Sequence, residues 1–296
     1  MEKVVESLYF NNHCRQNKFD AMDTCYLFTN ENMNGYIENL EKKEILAVAG
    51  SGDFYFNALL YGAAFVDLFD VNYLSKFPIS LKKCCIEQLE YEDFLDFLGL
   101  HDKKDVLSYS IFKNLCNFDD ESYTFYKNLY DLVSHDGRAI YESKLIAHFD
   151  GSEKEIMEAN PYLIKENYDK LRKILLEKDA VSFLHTDINT LRDQLNKKYD
   201  IMYFSNINIY QRNTIYLKQI KRLSKFLKED GVIYFAYLHN YSHQPQSLFY
   251  DNLLKSHKYM GKVLSWETTD RKDKVYIYKK HSGSICHGDL KEEFEK

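Results

Sequence analysis

Ile45-Leu46-Ala47-Val48-Ala49-Gly50-Ser51-Gly52-Asp53 is the stretch on which the reading of this chain turns. An apolar run of buried-strand character enters a Gly-x-Gly turn, and residues of helical composition follow. A second apolar run, Phe65-Val66-Asp67-Leu68-Phe69-Asp70, comes next and closes on a carboxylate. Each part of that order has a physical use. Glycine lets the backbone turn sharply and lets a ligand come close to it. An acid ending the second strand can accept hydrogen bonds from both hydroxyls of a ribose. The pattern predicts a strand over 45–49, a helix over 53–62 and a strand over 65–70, with an adenosine-type cofactor at the turn.

Working outward, residues 1–43 are mixed polar and aromatic and read as an N-terminal helical extension. A helix is predicted over 75–97, and strand–helix alternation of this rhythm implies a parallel sheet with right-handed crossovers. From 100 to 178 the alternation stops, and helical periodicity runs through 121–133, 137–148, 153–159 and 164–178. That interval is too long for a connecting loop and reads as a helical insertion over one end of the sheet, roofing the cofactor site. Its rings Tyr123, Phe125, Tyr126 and Tyr130 suit either an acceptor-pocket wall or the core of a helical subdomain.

The alternation resumes with a strand at Ala180-Val181-Ser182-Phe183-Leu184-His185, then Thr186-Asp187 and a helix through Leu195. A strand over Asp200-Ile201-Met202-Tyr203-Phe204-Ser205-Asn206 and a helix over 212–228 follow. The basic residues of that helix, Lys218, Lys221, Arg222, Lys225 and Lys228, read as a solvated face. Asp230-Gly231 is predicted to turn the chain into a fifth strand over 232–237, and Pro245 to open a helix ending near Lys258. Segments 259–267 and 273–280 alternate apolar and polar residues about Thr269-Asp270-Arg271-Lys272, which signals a hairpin. Residues 281–296 are a polar tail.

Five βα units closed by an antiparallel hairpin describe a Rossmann-like α/β fold of the class I methyltransferase type. Its S-adenosylmethionine-binding core would comprise 44–99 and 179–280, with 100–178 inserted. A nicotinamide-binding domain would continue with parallel strands, and Gly-Ser-Gly-Asp lacks the third glycine of that fingerprint.

Composition narrows the class further. With 296 residues, 45% hydrophobic content and three prolines, the chain can bury a large core. The 25 tyrosines and 20 phenylalanines accompany many Lys, Asn and Ile, a pattern of AT-rich codon usage that gives the rings little functional weight. Thirty-nine basic against 45 acidic residues leave a net charge of −6, which disfavours general nucleic-acid binding. No apolar run reaches the length of a membrane span, and Met1-Glu2-Lys3-Val4-Val5-Glu6 does not resemble a signal peptide, so a cytoplasmic location is expected. The six cysteines form no CxxC pair and read as reduced thiols. Cys286-His287 with His281 lies in the tail, and no metal site is expected there or elsewhere.

Placed in such a fold, Gly50, Ser51 and Gly52 would pass beneath the amino-acid portion of S-adenosylmethionine, and Asp70 would hold its ribose. Asp53 opens a helix, where a carboxylate suits the dipole and could meet the cofactor ammonium or act as a plain N-cap. Asp187 stands where it could bond the adenine amino group or cap a helix. Ser205 and Asn206 end the fourth strand beside the expected sulfonium, with Tyr210 following. The fifth strand brings Tyr237, His239 and Asn240 to the same rim, making Tyr210, Tyr237 and His239 the candidate catalytic groups.

Residues 45–53, then Asn57-Ala58-Leu59-Leu60-Tyr61-Gly62-Ala63 and Asp70-Val71-Asn72, resemble the betaine-lipid synthase family. Those are S-adenosylmethionine:diacylglycerol 3-amino-3-carboxypropyl transferases and their relatives. The resemblance runs through Leu81-Lys82, Tyr91-Glu92-Asp93-Phe94-Leu95 and Phe97-Leu98-Gly99, weakly through Asp136-Gly137-Arg138, and returns over 200–210. It covers most of 28–240 and implies the same cofactor, with Asn72 beside Asp70 in its site. The chain has Tyr73 where the family carries proline, so the lipid acceptor does not carry over. A small-molecule or lipid-like acceptor is expected. The competing readings are a methyltransferase, a non-catalytic S-adenosylmethionine-binding module and, disfavoured by the hairpin, a nicotinamide dehydrogenase.

Overall fold

Two short strands precede the glycine turn in the computed structural model, which describes residues 24–33, 40–101, 103–147, 152–178, 181–239, 245–256, 262–267 and 272–279. They are β1 (Cys25–Tyr26) and β2 (Glu44–Val48). After the turn come α1 (Asp53–Leu60), β3 (Phe65–Asp70), α2 (Lys76–Gln88) and α3 (Tyr91–Phe97). The next stretch holds α4 (Tyr109–Phe112), α5 (Asp120–Leu132), α6 (Gly137–Tyr141), β4 (Ile146–Ala147), α7 (Glu153–Ala159) and α8 (Lys165–Leu176). The chain continues through β5 (Ser182–His185), β6 (Tyr199–Tyr203), α9 (Asn213–Leu223), β7 (Leu227–Leu238), α10 (Pro245–Ser256), β8 (Lys262–Glu267) and β9 (Lys272–Lys279).

The seven-stranded sheet has the order β5-β3-β2-β6-β7-β9-β8. Strands β5, β3, β2, β6 and β7 follow the 3-2-1-4-5 order of a doubly wound α/β sheet. The last strand, β9, inserts antiparallel between β7 and β8, pairing Ile233 with Tyr278 and Val263 with Tyr276. This parallel sheet with a C-terminal antiparallel pair is the class I methyltransferase-type architecture expected from the sequence. β2 is buried at Ile45, Leu46 and Ala47 and runs parallel to β6 with Ala47 opposite Tyr203. Near-continuous apolar content is what a central strand covered on both faces requires.

The chain forms two compact units. The first takes residues 1–34, 49–62 and 67–185, and the second takes 35–48, 63–66 and 186–296. In the first, α2 packs against α5 and α8, with Phe77 stacked on Phe125 at 3.8 Å. In the second, α9 lies on β7, where the Tyr216 hydroxyl donates to the Phe235 carbonyl.

Several expected element limits are corrected. The helix over 75–97 is two, because Leu89 is extended at φ −91° and the Tyr168 hydroxyl takes up its carbonyl at 3.0 Å. The helix over 137–148 stops at Tyr141, and Ile146–Ala147 instead forms a parallel strand with Cys25–Tyr26, so the N-terminal extension is not wholly helical. Beyond Asp187 the predicted helix reduces to turns and a 3₁₀ segment at Leu191–Asp193, because the Asp187 carboxylate takes the Asn189 N–H and amide locally. The helix over 212–228 ends at Leu223, and Leu227 already pairs with Tyr199 in β7. Asp230-Gly231 is an irregularity within that strand, with Asp230 at φ 57°, and not a turn before it. Residues 1–23, 34–39 and the 281–296 tail with His281, Cys286 and His287 lie outside the described residues.

Candidate functional site

The glycine turn belongs to the first unit and is built by its own backbone bonds. Gly52 N–H donates to the Ala49 carbonyl at 2.7 Å, and Ala49 N–H donates to the Phe69 carbonyl of β3 at 2.8 Å. Gly50 sits at φ 51° and Gly52 at φ 83°, left-handed conformations that favour glycine. The two glycines differ in what surrounds them. A Cβ on Gly52 would stand 2.4 Å from the Ile79 Cγ1 of α2, so that position serves close packing. A Cβ on Gly50 would meet nothing within 4 Å, so that position opens on free space.

Asp70 closes the turn from the end of β3. Its Oδ2 accepts the Gly50 N–H at 3.0 Å and its Oδ1 accepts the Asn72 N–H at 2.9 Å. Burial pushes the Asp70 carboxyl above the ordinary aspartate value, and the bonds from Asn72, Gly50, Ser75 and Val71 pull the other way. With four donors on it from within the protein, the Asp70 carboxylate is held in a fixed direction beside the turn. The Asn72 side chain caps the next turn through the Leu74 N–H and donates to the Thr24 carbonyl.

Asp53 is neither a plain N-cap nor an open carboxylate. The N-cap is Gly52, and Asp53 is 0% exposed. Its Oδ1 receives the Lys82 ammonium at 2.5 Å and the Tyr162 hydroxyl at 2.6 Å. Its Oδ2 receives the Ser51 hydroxyl at 2.8 Å and the Thr29 backbone N–H. Four donors from within the unit thus occupy the carboxylate. The Lys82 Nζ also donates to the Leu27 carbonyl at 2.7 Å and lies 5.1 Å from the Phe28 ring centre and 5.4 Å from that of Phe56. Burial draws the Lys82 ammonium below its ordinary value while Asp53 opposes the shift.

Three of the four rings singled out in the 100–178 segment, Phe125, Tyr126 and Tyr130, are buried in the core of the first unit, and Tyr123 is exposed. From the same segment Tyr162 reaches Asp53, and its N–H meets the Asn57 side chain of α1 at 3.1 Å.

The second unit holds the remaining candidates. Asp187 caps its local turn as described. Ser205, at φ 51°, follows β6, donates to Asn206 Oδ1 at 3.3 Å and accepts the Tyr237 N–H at 2.8 Å. Tyr210 is 49% exposed on a 3₁₀ turn. Tyr237 is 1% exposed and donates its hydroxyl to the buried Asp273 of β9 at 2.6 Å. His239 Nδ1 stands 3.9 Å from the same Asp273 oxygen, with the two rings 4.7 Å apart. The sequence reading had not singled out Asp273. Asn240 lies outside the described residues.

Among the described residues no helix is long and apolar enough to cross a membrane, and no group of three His, Cys, Asp or Glu is arranged to hold a metal.

No family model and no curated protein matches the chain. Among solved structures it overlaps a ribosomal protein L11 methylase from Lactobacillus delbrueckii subsp. bulgaricus at 14% identity and TM-score 0.33, covering 82% of this chain and 72% of that one. An rRNA methylase from Streptococcus thermophilus overlaps at 6% identity and TM-score 0.33, over 82% and 90% of the two chains. A Streptococcus mutans protein described as a methyltransferase, crystallised with SAH, overlaps at 8% identity and TM-score 0.32, over 81% and 91%. These overlaps are loose, and the fold class rests on the strand order and the antiparallel C-terminal pair.

Proposed function

We propose that the chain is a transferase that uses S-adenosylmethionine, bound at the glycine turn. The observation that carries the reading is the join between Gly50 and Asp70: one backbone N–H ties the turn to the acid, beside free space over Gly50. That arrangement fits a nucleoside ligand. The space admits a group close to the backbone, and an acid closing the second strand beside it suits a ribose diol. Asn72 holds Asp70 Oδ1 from the following residue pair and fixes the direction of the carboxylate.

When bound, the cofactor would supply a sulfonium with electrophilic carbons at its methyl and at the γ-carbon of its amino-acid arm. The protein's part is to hold the acceptor in line with the bond that breaks. The resemblance over 45–53 and 70–72 favours transfer of the 3-amino-3-carboxypropyl group to a small or lipid-like acceptor, and the fold equally accommodates methyl transfer. Tyr210 is 49% exposed, and Tyr237 is buried with its hydroxyl donated to Asp273. If Tyr210 or Tyr237 acts as base or orients the acceptor, its Phe variant keeps cofactor binding and loses about 10²–10⁴-fold in turnover.

The by-product decides the reaction. The protein is incubated with S-adenosylmethionine and cell extract, and the nucleoside released is identified by mass spectrometry. Methylthioadenosine is expected. S-adenosylhomocysteine alone would assign methyl transfer, and tight binding with neither product would assign a binding module.

A further inference from the structure

The Gly50–Gly52 turn is gripped from outside by α2, and the grip has two points. Ile79 occupies the space into which a Gly52 Cβ would project, 2.4 Å away. Lys82 lies three residues further along, on the same helix face, and reaches Asp53 at 2.5 Å. One residue of α2 therefore packs closely against the turn and the next one on that face binds the residue after it. Two further segments close the arrangement. Tyr162 donates to the same Asp53 oxygen as Lys82, and Thr29 N–H binds the other oxygen. Ser51, in the middle of the turn, is tied to Asp53 at 2.8 Å. The ion pair is 0% exposed on both sides. Sealed charges of this kind contribute little net stability against an apolar replacement, so stability alone does not account for burying them.

We propose that Lys82 and Tyr162 are positioning residues for the ligand-binding turn, acting through Asp53 to hold Gly50, Ser51 and Gly52 in the conformation that receives the ligand. The proposal rests on reading the turn as the cofactor site, and it gives Asp53 an anchoring role in place of contact with the cofactor ammonium.

Tyr162→Phe tests it, because the ring stays and only the hydroxyl bond to Asp53 goes. The chain has 11 glycines, so ¹⁵N-glycine labelling gives a spectrum simple enough to follow Gly50 and Gly52 individually. In the ligand-free variant their amide signals are expected to move while that of Gly137 stays. S-adenosylmethionine affinity by calorimetry is expected to fall about three- to tenfold. A purely structural role would lower the melting temperature and leave both readouts alone; either one unchanged, in a wild type that binds S-adenosylmethionine, overturns the proposal. If the wild type does not bind S-adenosylmethionine, the cofactor reading fails, and the glycine signals alone decide the positioning role. If Tyr162→Phe does not fold, the charge-neutral double variant Asp53→Asn/Lys82→Met replaces it with the same glycine readout. Moved signals support the proposal and unmoved ones overturn it.

Discussion

Asp70 accepts the Gly50 and Asn72 N–H groups and is the residue proposed to hold the ribose. Replacing it by Ala removes charge-assisted bonds worth about 1.5–3 kcal/mol, so calorimetry should record a tenfold to hundredfold loss of S-adenosylmethionine affinity. Its carboxyl titrates above the ordinary aspartate range because burial outweighs the hydrogen bonds. A ribose held by Asp70 as acceptor would need the ionised form. Affinity should therefore weaken on acidification before the pH of about 3.9 at which an ordinary aspartate titrates, and Asp70→Ala should flatten that dependence. The effect on stability has the opposite sign: a folded-state value above the unfolded one gives a contribution present at low pH and lost as pH rises through the raised value. Gly50→Ala tests the free space. The left-handed backbone at φ 51° costs about 1 kcal/mol for an L-residue, so the variant should fold, and its methyl should obstruct the ligand. Gly50, Gly52 and Asp70 were legible in the sequence because their geometry is local to one strand–turn–helix–strand unit. The duty of Asp53 was not, because its partners Lys82 and Tyr162 are 29 and 109 residues away. A signal for Lys82 did exist. It interrupts the buried series Pro78, Ile79, Cys85, Ile86 at helical spacing, where a charge demands a partner.

Among the elements, α2 supplies two of the side chains that hold the turn, Ile79 and Lys82, and α6 shows how one position can fix a junction. A Cβ on Gly137, the first residue of α6, would fall 1.8 Å from the Leu107 carbonyl oxygen, closer than any packing allows. Gly137→Ala is therefore expected to destabilise the protein by about 1–3 kcal/mol, measured by chemical denaturation. Lys82→Met alone leaves Asp53 as a buried charge without its cation, and a loss of about 3–5 kcal/mol is expected in the same assay. The types of the long elements were legible from periodicity, and so were the parallel core and the C-terminal hairpin. Their limits were set by distant partners. Leu227 leaves helix for strand because Tyr199 pairs with it, although Lys225 and Lys228 favour helix locally. Ile146–Ala147 is a strand only because Cys25–Tyr26 lies beside it, and two residues are too few to carry a period of their own.

For the molecule as a whole, the thiols give a direct test of burial. Cys25, Cys84 and Cys85 are buried, and burial pushes the Cys84 thiol up to about 12 and raises the others as well. Cys116 is exposed. Thiol titration of the native protein should label Cys116 and leave those three unreactive until denaturant is added, read by peptide mapping. The sequence could mark all of them as thiols without a CxxC pair, but their depth depends on packing that no local pattern encodes.

The order in which the central strands leave the ribosome follows from the register of β2. Ile45 pairs with Ile201, 156 positions later in the chain. At synthesis rates of about 5–20 residues per second, β6 is made roughly 8–30 s after β2. Until then the apolar strand that leads into the glycine turn has no neighbour on that side. Contacts of such separation also slow refolding of the complete chain. The strand that leads into the turn is thus encoded early and paired late, and until β6 is made β2 is an unpaired apolar edge of the kind that invites aggregation.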